Sequence, residues 1–134
     1  MKYLVAFALL LTVASTLADL KEEAKQKIKV AHEKCQGNPE THVDEAVLEK
    51  IRKGEKPDHP QNLGAHSLCI SKTLGWQNQD GTVNKALITD RATQHIQDAA
   101  ERQKYLDECA VDKENEKATA INLFKCIGRY TRHQ

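Results

Sequence analysis

The chain has 134 residues, 20 Lys and Arg against 19 Asp and Glu, and a formal net charge of +1, with 4 cysteines and 1 tryptophan. That length supports one ordinary domain, and a charge balance near zero gives no electrostatic reason to expect nucleic acid or an acidic membrane as partner. Aromatic residues make up only 4% of the chain, so any interior it builds is mostly aliphatic.

Taken in chain order, the first element is a leader. Lys2 is followed by an apolar run from Tyr3 to Val13, then by Ala14, Ser15, Thr16, Leu17 and Ala18. This is the pattern of a secretory signal peptide, with small residues at Thr16 and Ala18 suiting cleavage before Asp19. The run is too short to cross a bilayer core of roughly 30 Å, and no later stretch is long and apolar enough to try. Residues 1–18 are therefore expected to be removed. A single helical domain, 19–134, is expected to be secreted into extracellular fluid without membrane insertion.

In the domain, apolar residues recur at intervals of three and four, the helical period, and Gly and Pro punctuate them. A first helix, Leu20 to Gln36, sets Leu20, Ala24, Ile28, Ala31 and Cys35 on one face and ends at Gly37 and Pro39. A second, about Thr41 to Lys53, aligns Val43, Val47 and Ile51, with Leu48 beside them, and Gly54 is its cap. Lys56 to Pro60, holding two prolines, reads as a loop. The third helix carries Leu63, His66, Ile70 and Leu74 in a stripe with Ala65 and Cys69 alongside, and stops at Gly75. Trp76 to Gly81 is turn-rich, with Asp80-Gly81 the sharpest turn signal. A fourth helix, about Asn84 to His95, uses Leu87, Ile88, Ala92 and Ile96. A fifth, about Ala99 to Val111, buries Tyr105 or Leu106, Cys109 and Ala110. The sixth, about Glu116 to Arg129, shows Ala120, Leu123, Phe124 and Ile127 on one side with Cys126 adjoining. Six short amphipathic helices predict an all-α domain.

The chemistry-bearing residues exclude more than they offer. Cys35, Cys69, Cys109 and Cys126 form an even set, and in an oxidising compartment they read as two disulfides, for which sequence alone permits three pairings. His32 with Cys35, and His66 with Cys69, have the helical spacing of three that gives two metal ligands on one face. Secretion and the leftover Cys109 and Cys126 weigh against that reading, so no metal or other cofactor is expected. There is no nucleophile elbow, glycine-rich phosphate loop or His-Glu-x-x-His, and the carboxylates lie among Lys and Arg on polar helix faces, so catalysis is not expected. An aliphatic interior gives contact area without directed hydrogen bonds, which suits small apolar ligands if a cavity exists; the same residues would equally pack a solid core.

The stretches Ala65-His-Ser-Leu-Cys-Ile-Ser-Lys-Thr-Leu-Gly75, Cys109-Ala-Val111 and Leu123-Phe-Lys-Cys-Ile127 make the chain resemble the insect odorant-binding proteins of the pheromone-binding and general odorant-binding type. Within that family it looks most like the four-cysteine beetle haemolymph and accessory-gland proteins. The family usually has six cysteines, with three residues between the second and third and eight between the fifth and sixth. Cys69 and Cys126 match the third and sixth. The missing second and fifth, which pair in the family, fall at Ala65 and Lys117, so a whole bridge is absent and no thiol is orphaned.

The resemblance implies the pairing Cys35 with Cys69 and Cys109 with Cys126, and six helices around an apolar cavity. It implies a carrier of small hydrophobic ligands of odorant, pheromone, fatty-acid or terpenoid type. Expected lining residues are Ile28, Val47, Ile51, Ile70, Leu74, Trp76, Leu87, Ile88, Ile96, Leu106, Leu123, Phe124 and Ile127, with Trp76 near an entrance or anchoring its loop. The expected partner is one small apolar ligand per monomer or weak dimer; any receptor is unidentified. The competing reading is a secreted helical protein with a solid core that acts through its surface. The missing bridge leaves the third helix untied to the sixth, which predicts a cavity that breathes. Only eight residues follow Cys126, too few for an additional long helix to plug the cavity at acid pH, although His66 on the apolar stripe is placed to titrate.

Overall fold

A computed structural model of the chain describes residues 22–56 and 62–131, with side chains to residue 129. The expected signal peptide, 1–18, and most of the expected loop, 57–60, lie outside the described residues. The described residues form six α-helices: α1 (residues 22–36), α2 (Glu45–Arg52), α3 (Leu63–Thr73), α4 (Lys85–His95), α5 (Ala99–Cys109) and α6 (Glu116–Thr131). Among them there is no strand, only an isolated antiparallel bridge between Gln77 and Val83.

The chain divides into two compact units, Met1–Val30 and Ala31–Gln134. The described part of the first, residues 22–30, is the N-terminal half of α1, its surface carrying Lys25–Glu22 and Lys27–Glu23 ion pairs at 3.6 and 3.1 Å. Here the expected stripe departs from what is observed. Ala31 and Cys35 are wholly buried, but Ile28 is 47% exposed.

In the second unit, side-chain caps fix where the helices start. Expected at Thr41, α2 begins at Glu45 because residues before it are committed elsewhere. The Thr41 hydroxyl donates to the Cys35 carbonyl at 2.5 Å, and Gln36 clasps Val43 from both sides, donating to its carbonyl at 2.6 Å and accepting from its N–H at 2.9 Å. Asp44 then caps the helix by accepting from Ala46 N–H at 2.9 Å. Asn84 and Asp98 do the same for α4 and α5, accepting from Leu87 N–H at 3.2 Å and Glu101 N–H at 2.9 Å. Asn115 accepts from Ala118 N–H at 2.9 Å ahead of α6. Gly75, at φ +79°, lets the chain reverse after α3, and Trp76 N–H returns to the Ser71 carbonyl at 2.9 Å. Gly81, at φ +91°, makes the second sharp turn, as the Asp80-Gly81 pair predicts.

Packing runs through α3 against α6, and α5 against both α4 and α6. Although no disulfide joins them, α3 and α6 are closely seated. A Cβ built on Gly64 would lie 3.2 Å from the Lys117 Cβ; Lys72 Nζ pairs with Glu116 Oε2 at 3.1 Å; and Gln77 Nε2 donates to the Glu116 carbonyl at 3.1 Å. Disulfides join Cys35 of α1 to Cys69 of α3 and Cys109 of α5 to Cys126 of α6, with Cα atoms 5.9 and 5.8 Å apart, the pairing the resemblance implied. Of the described residues after Cys126, all of 127–131 continue α6.

Candidate functional site

The interior is built from two apolar clusters. The larger gathers Trp76, Val83, Ile88, Ala92, Ile96, Tyr105, Ala110 and Leu123 around the Cys109–Cys126 bridge, with Leu74, Leu87, Leu106, Phe124 and Ile127 half-buried against it. The smaller holds Ala31, Cys35 and Ile70. Leu74 and Phe124 pack against both clusters, so the apolar surface is continuous from α1 through α3 and α6 to α4 and α5.

Most expected lining residues thus come together in these clusters. Ile70, Trp76, Ile88, Ile96 and Leu123 are buried; Leu74, Leu87, Leu106, Phe124 and Ile127 are half-buried beside them. Val47 and Ile51 are half-buried but belong to neither cluster, because α2 turns Leu48 inward. Ile28 also lies outside both. Trp76 is only 3% exposed, its ring centroid 5.2 Å from that of Phe124, a core position. Periodicity overlooked several interior residues. Val83 sits in a loop between helices, and Ser67, Ser71 and Gln77 are buried polar residues that an apolar pattern passes over.

Two polar features border this interior. The first is at the Cys35–Cys69 bridge, where the two i, i+3 His/Cys pairs bring His32 and His66 edge to face, ring centroids 5.5 Å apart. His66 Nδ1–H donates to the Thr41 carbonyl at 2.8 Å, and His32 Nε2–H donates to Glu45 Oε1 at 2.6 Å. Burial pushes the His66 imidazolium below its ordinary pKa of 6.5, and the neighbouring His32 and His42 act in the same direction; the Thr41 carbonyl and Glu45 oppose it. Hydrogen bonds from Gln36 and His32 hold the Glu45 carboxyl below its usual value. Among the described residues, no group of three or more His, Cys, Asp or Glu side chains is arranged to hold a metal ion.

The second feature is the turn after α3. Ser71 Oγ, Trp76 Nε1 and Gln77 Oε1 are buried with no hydrogen-bond partner, although Gln77 Nε2 is engaged with the Gly81 and Glu116 carbonyls at 2.8 and 3.1 Å. Among the described residues, no helix is long and apolar enough to cross a membrane.

With this geometry in hand, comparison with known proteins is specific. A model of the PBP/GOBP family matches residues 17–130. The B2 protein of Tenebrio molitor is 30% identical over 108 residues, covering 81% of this chain and 82% of that protein; the B1 protein of the same beetle is 28% identical over 108 residues, 81% of each. Among solved structures, a fatty acid binding protein, OBP56a, from the oral disk of the blowfly Phormia regina aligns with a TM-score of 0.59 at 21% identity, over 84% of this chain and 96% of that one. At that identity the blowfly protein establishes a common fold. The family match over most of the chain, together with a beetle relative of similar extent, establishes that the chain belongs to the PBP/GOBP family.

Proposed function

We propose that the protein is a secreted carrier that takes one small hydrophobic molecule into its helical interior and performs no chemistry on it. The observation that carries this reading is the continuous apolar surface formed where Leu74 and Phe124 join the two core clusters. Such a surface recognises length and shape and has few directed contacts, which suits a broad class of ligands: odorant, pheromone, fatty-acid or terpenoid. Membership of the PBP/GOBP family and the fold shared with a fatty acid binding protein support it. Burying a ligand of ten to fifteen carbons, at about 25 cal/mol per Å² of apolar area less the cost of immobilisation, is compatible with micromolar affinity.

The test is displacement of a fluorescent apolar probe from the oxidised, delipidated mature protein by fatty acids, alcohols and terpenoids. Saturable displacement at one site per chain is the expected result. Absence of probe uptake, with no co-purifying ligand by mass spectrometry, would replace this reading with that of a solid-cored protein acting through its surface.

A further inference from the structure

Of the 20 Lys and Arg residues in the chain, only Arg52 and Lys53 adjoin one another. We infer that this pair, with Lys50 two residues before Arg52, is a processing site for a serine protease selective for paired basic residues. The protease cuts between Lys53 and Gly54 and leaves the two pieces joined by the Cys35–Cys69 disulfide.

The fold presents the pair at the end of α2. Lys50, Arg52, Lys53, Gly54, Glu55 and Lys56 are exposed, and Ile51 among them is half-buried. Arg52 pairs with Glu49 at 3.3 Å, but both side chains are more than half exposed, so that contact holds Arg52 weakly. The helix closes with Lys53 N–H donating to the Glu49 carbonyl at 3.1 Å, Gly54 N–H to Ile51 at 3.0 Å and Glu55 N–H to Lys50 at 3.0 Å, with Gly54 at φ +82°. A protease binds its substrate extended, so these three bonds must open. Opening them exposes no buried side chain: α2 has eight residues, and the one it buries, Leu48, lies a turn earlier. A helix this short is marginal by itself, and its last turn opens at the low end of the range of local unfolding energies. Cleavage then follows the population of that open form, with no need for the domain to unfold.

Hydrolysis adds one water. The Lys53–Gly54 C–N bond breaks, Lys53 gains a carboxylate and Gly54 an ammonium group. Cys35 precedes the cut and Cys69 follows it, so their disulfide spans it. Two hydrogen bonds also cross it: His66 Nδ1–H donates to the Thr41 carbonyl at 2.8 Å, and Asn62 Nδ2 donates to the His42 carbonyl at 3.2 Å. The product is a two-chain protein whose α2 is continued by the chain at one end only. Its new carboxylate stands at the helix C-terminus, where the helix dipole disfavours negative charge, so the cut loosens α2.

The experiment incubates the oxidised mature chain with a subtilisin-type serine protease selective for paired basic residues and follows its mass with and without reduction. Without reduction, one species heavier by one water is expected. With reduction, two chains are expected, one ending at Lys53 and the other beginning at Gly54. The double variant Arg52→Gln, Lys53→Gln changes only exposed side chains and should be cut roughly a hundredfold more slowly, because a pocket built to pair with a cation rejects a neutral side chain. The position of the cut in the unsubstituted protein is a readout independent of how the variant folds. An uncut folded chain, a first cut at any other bond, or equal rates for the variant would overturn the site. Separation of the pieces without reduction would overturn the tether. None of these outcomes bears on the carrier reading, which probe uptake tests separately.

Discussion

His66 shows how much one residue's surroundings decide. The ring is buried on α3, donates to the Thr41 carbonyl and faces His32, His42 and Glu45. Its proton affinity is lowered on folding, so the unfolded chain takes up a proton that the folded chain resists. The sign follows directly: as pH falls below the ordinary 6.5 toward the lower folded value, stability falls. The Glu45 carboxyl, shifted down in the fold, adds a smaller loss at more acid pH, reduced because its side chain is 59% exposed. Replacing His66 with Gln retains a donor for Thr41 and removes the titration. Urea denaturation midpoints of His66→Gln should vary less between pH 7 and pH 5 than those of the unsubstituted protein; equal slopes would show that His66 is not the group responsible.

At the scale of elements, the joints are made by side chains that cap or bridge. Asn84 is the clearest. It accepts from Leu87 N–H at 3.2 Å at the start of α4 and donates to the Gly75 carbonyl at 3.0 Å at the end of α3, while its own N–H donates to the Trp76 carbonyl at 2.8 Å. Asn84→Ala removes both side-chain bonds and should cost about 1–2 kcal/mol in chemical denaturation. A cost within error of zero would mean that solvent replaces them. The α3–α6 seam supports a bolder change. With a Gly64 Cβ 3.2 Å from that of Lys117, close to the roughly 3.5–4.5 Å of a disulfide, the double variant Gly64→Cys, Lys117→Cys should close a third bridge on oxidation. Thiol titration should then find no free thiol, and amide exchange in α3 and α6 should slow; two reactive thiols in the folded protein would refute the geometry.

Across the whole molecule, the bridges Cys35–Cys69 and Cys109–Cys126 span sequence separations of 34 and 17. The chain-entropy account gives about 3–4 kcal/mol for each, comparable to much of a small domain's stability. Each bridge also reinforces an apolar cluster, the first around Ala31 and Ile70, the second around Leu123 and Tyr105. Cys109→Ser with Cys126→Ser should lower the thermal midpoint by at least 10 °C and weaken probe binding, since the larger cluster surrounds that bridge. Retention of both the midpoint and the binding would show that packing alone holds α5 against α6.

Helix number, helix order and most of the buried stripes were legible in the sequence because they depend on local periodicity and on Gly, Asn and Asp at element ends. Asp80-Gly81 acts as that reading expects. Family spacing supplied the disulfide pairing, which periodicity had left open among three choices, and placed the missing bridge at Ala65 and Lys117; the fold sets Gly64 against Lys117. What local pattern could not supply was decided between elements. The start of α2 depends on Gln36 and Thr41 reaching across a turn, and the burial of Leu48 on the way α2 is then rotated. The burial of Ser71, Trp76 and Gln77 depends on a reversal at Gly75 that folds the turn back onto α3 and α6. A sequence determines which side chains share a face, because that requires only the helical repeat. Which polar atoms are left unpaired inside is decided by tertiary structure, because a hydrogen bond needs its partner brought from elsewhere in the chain.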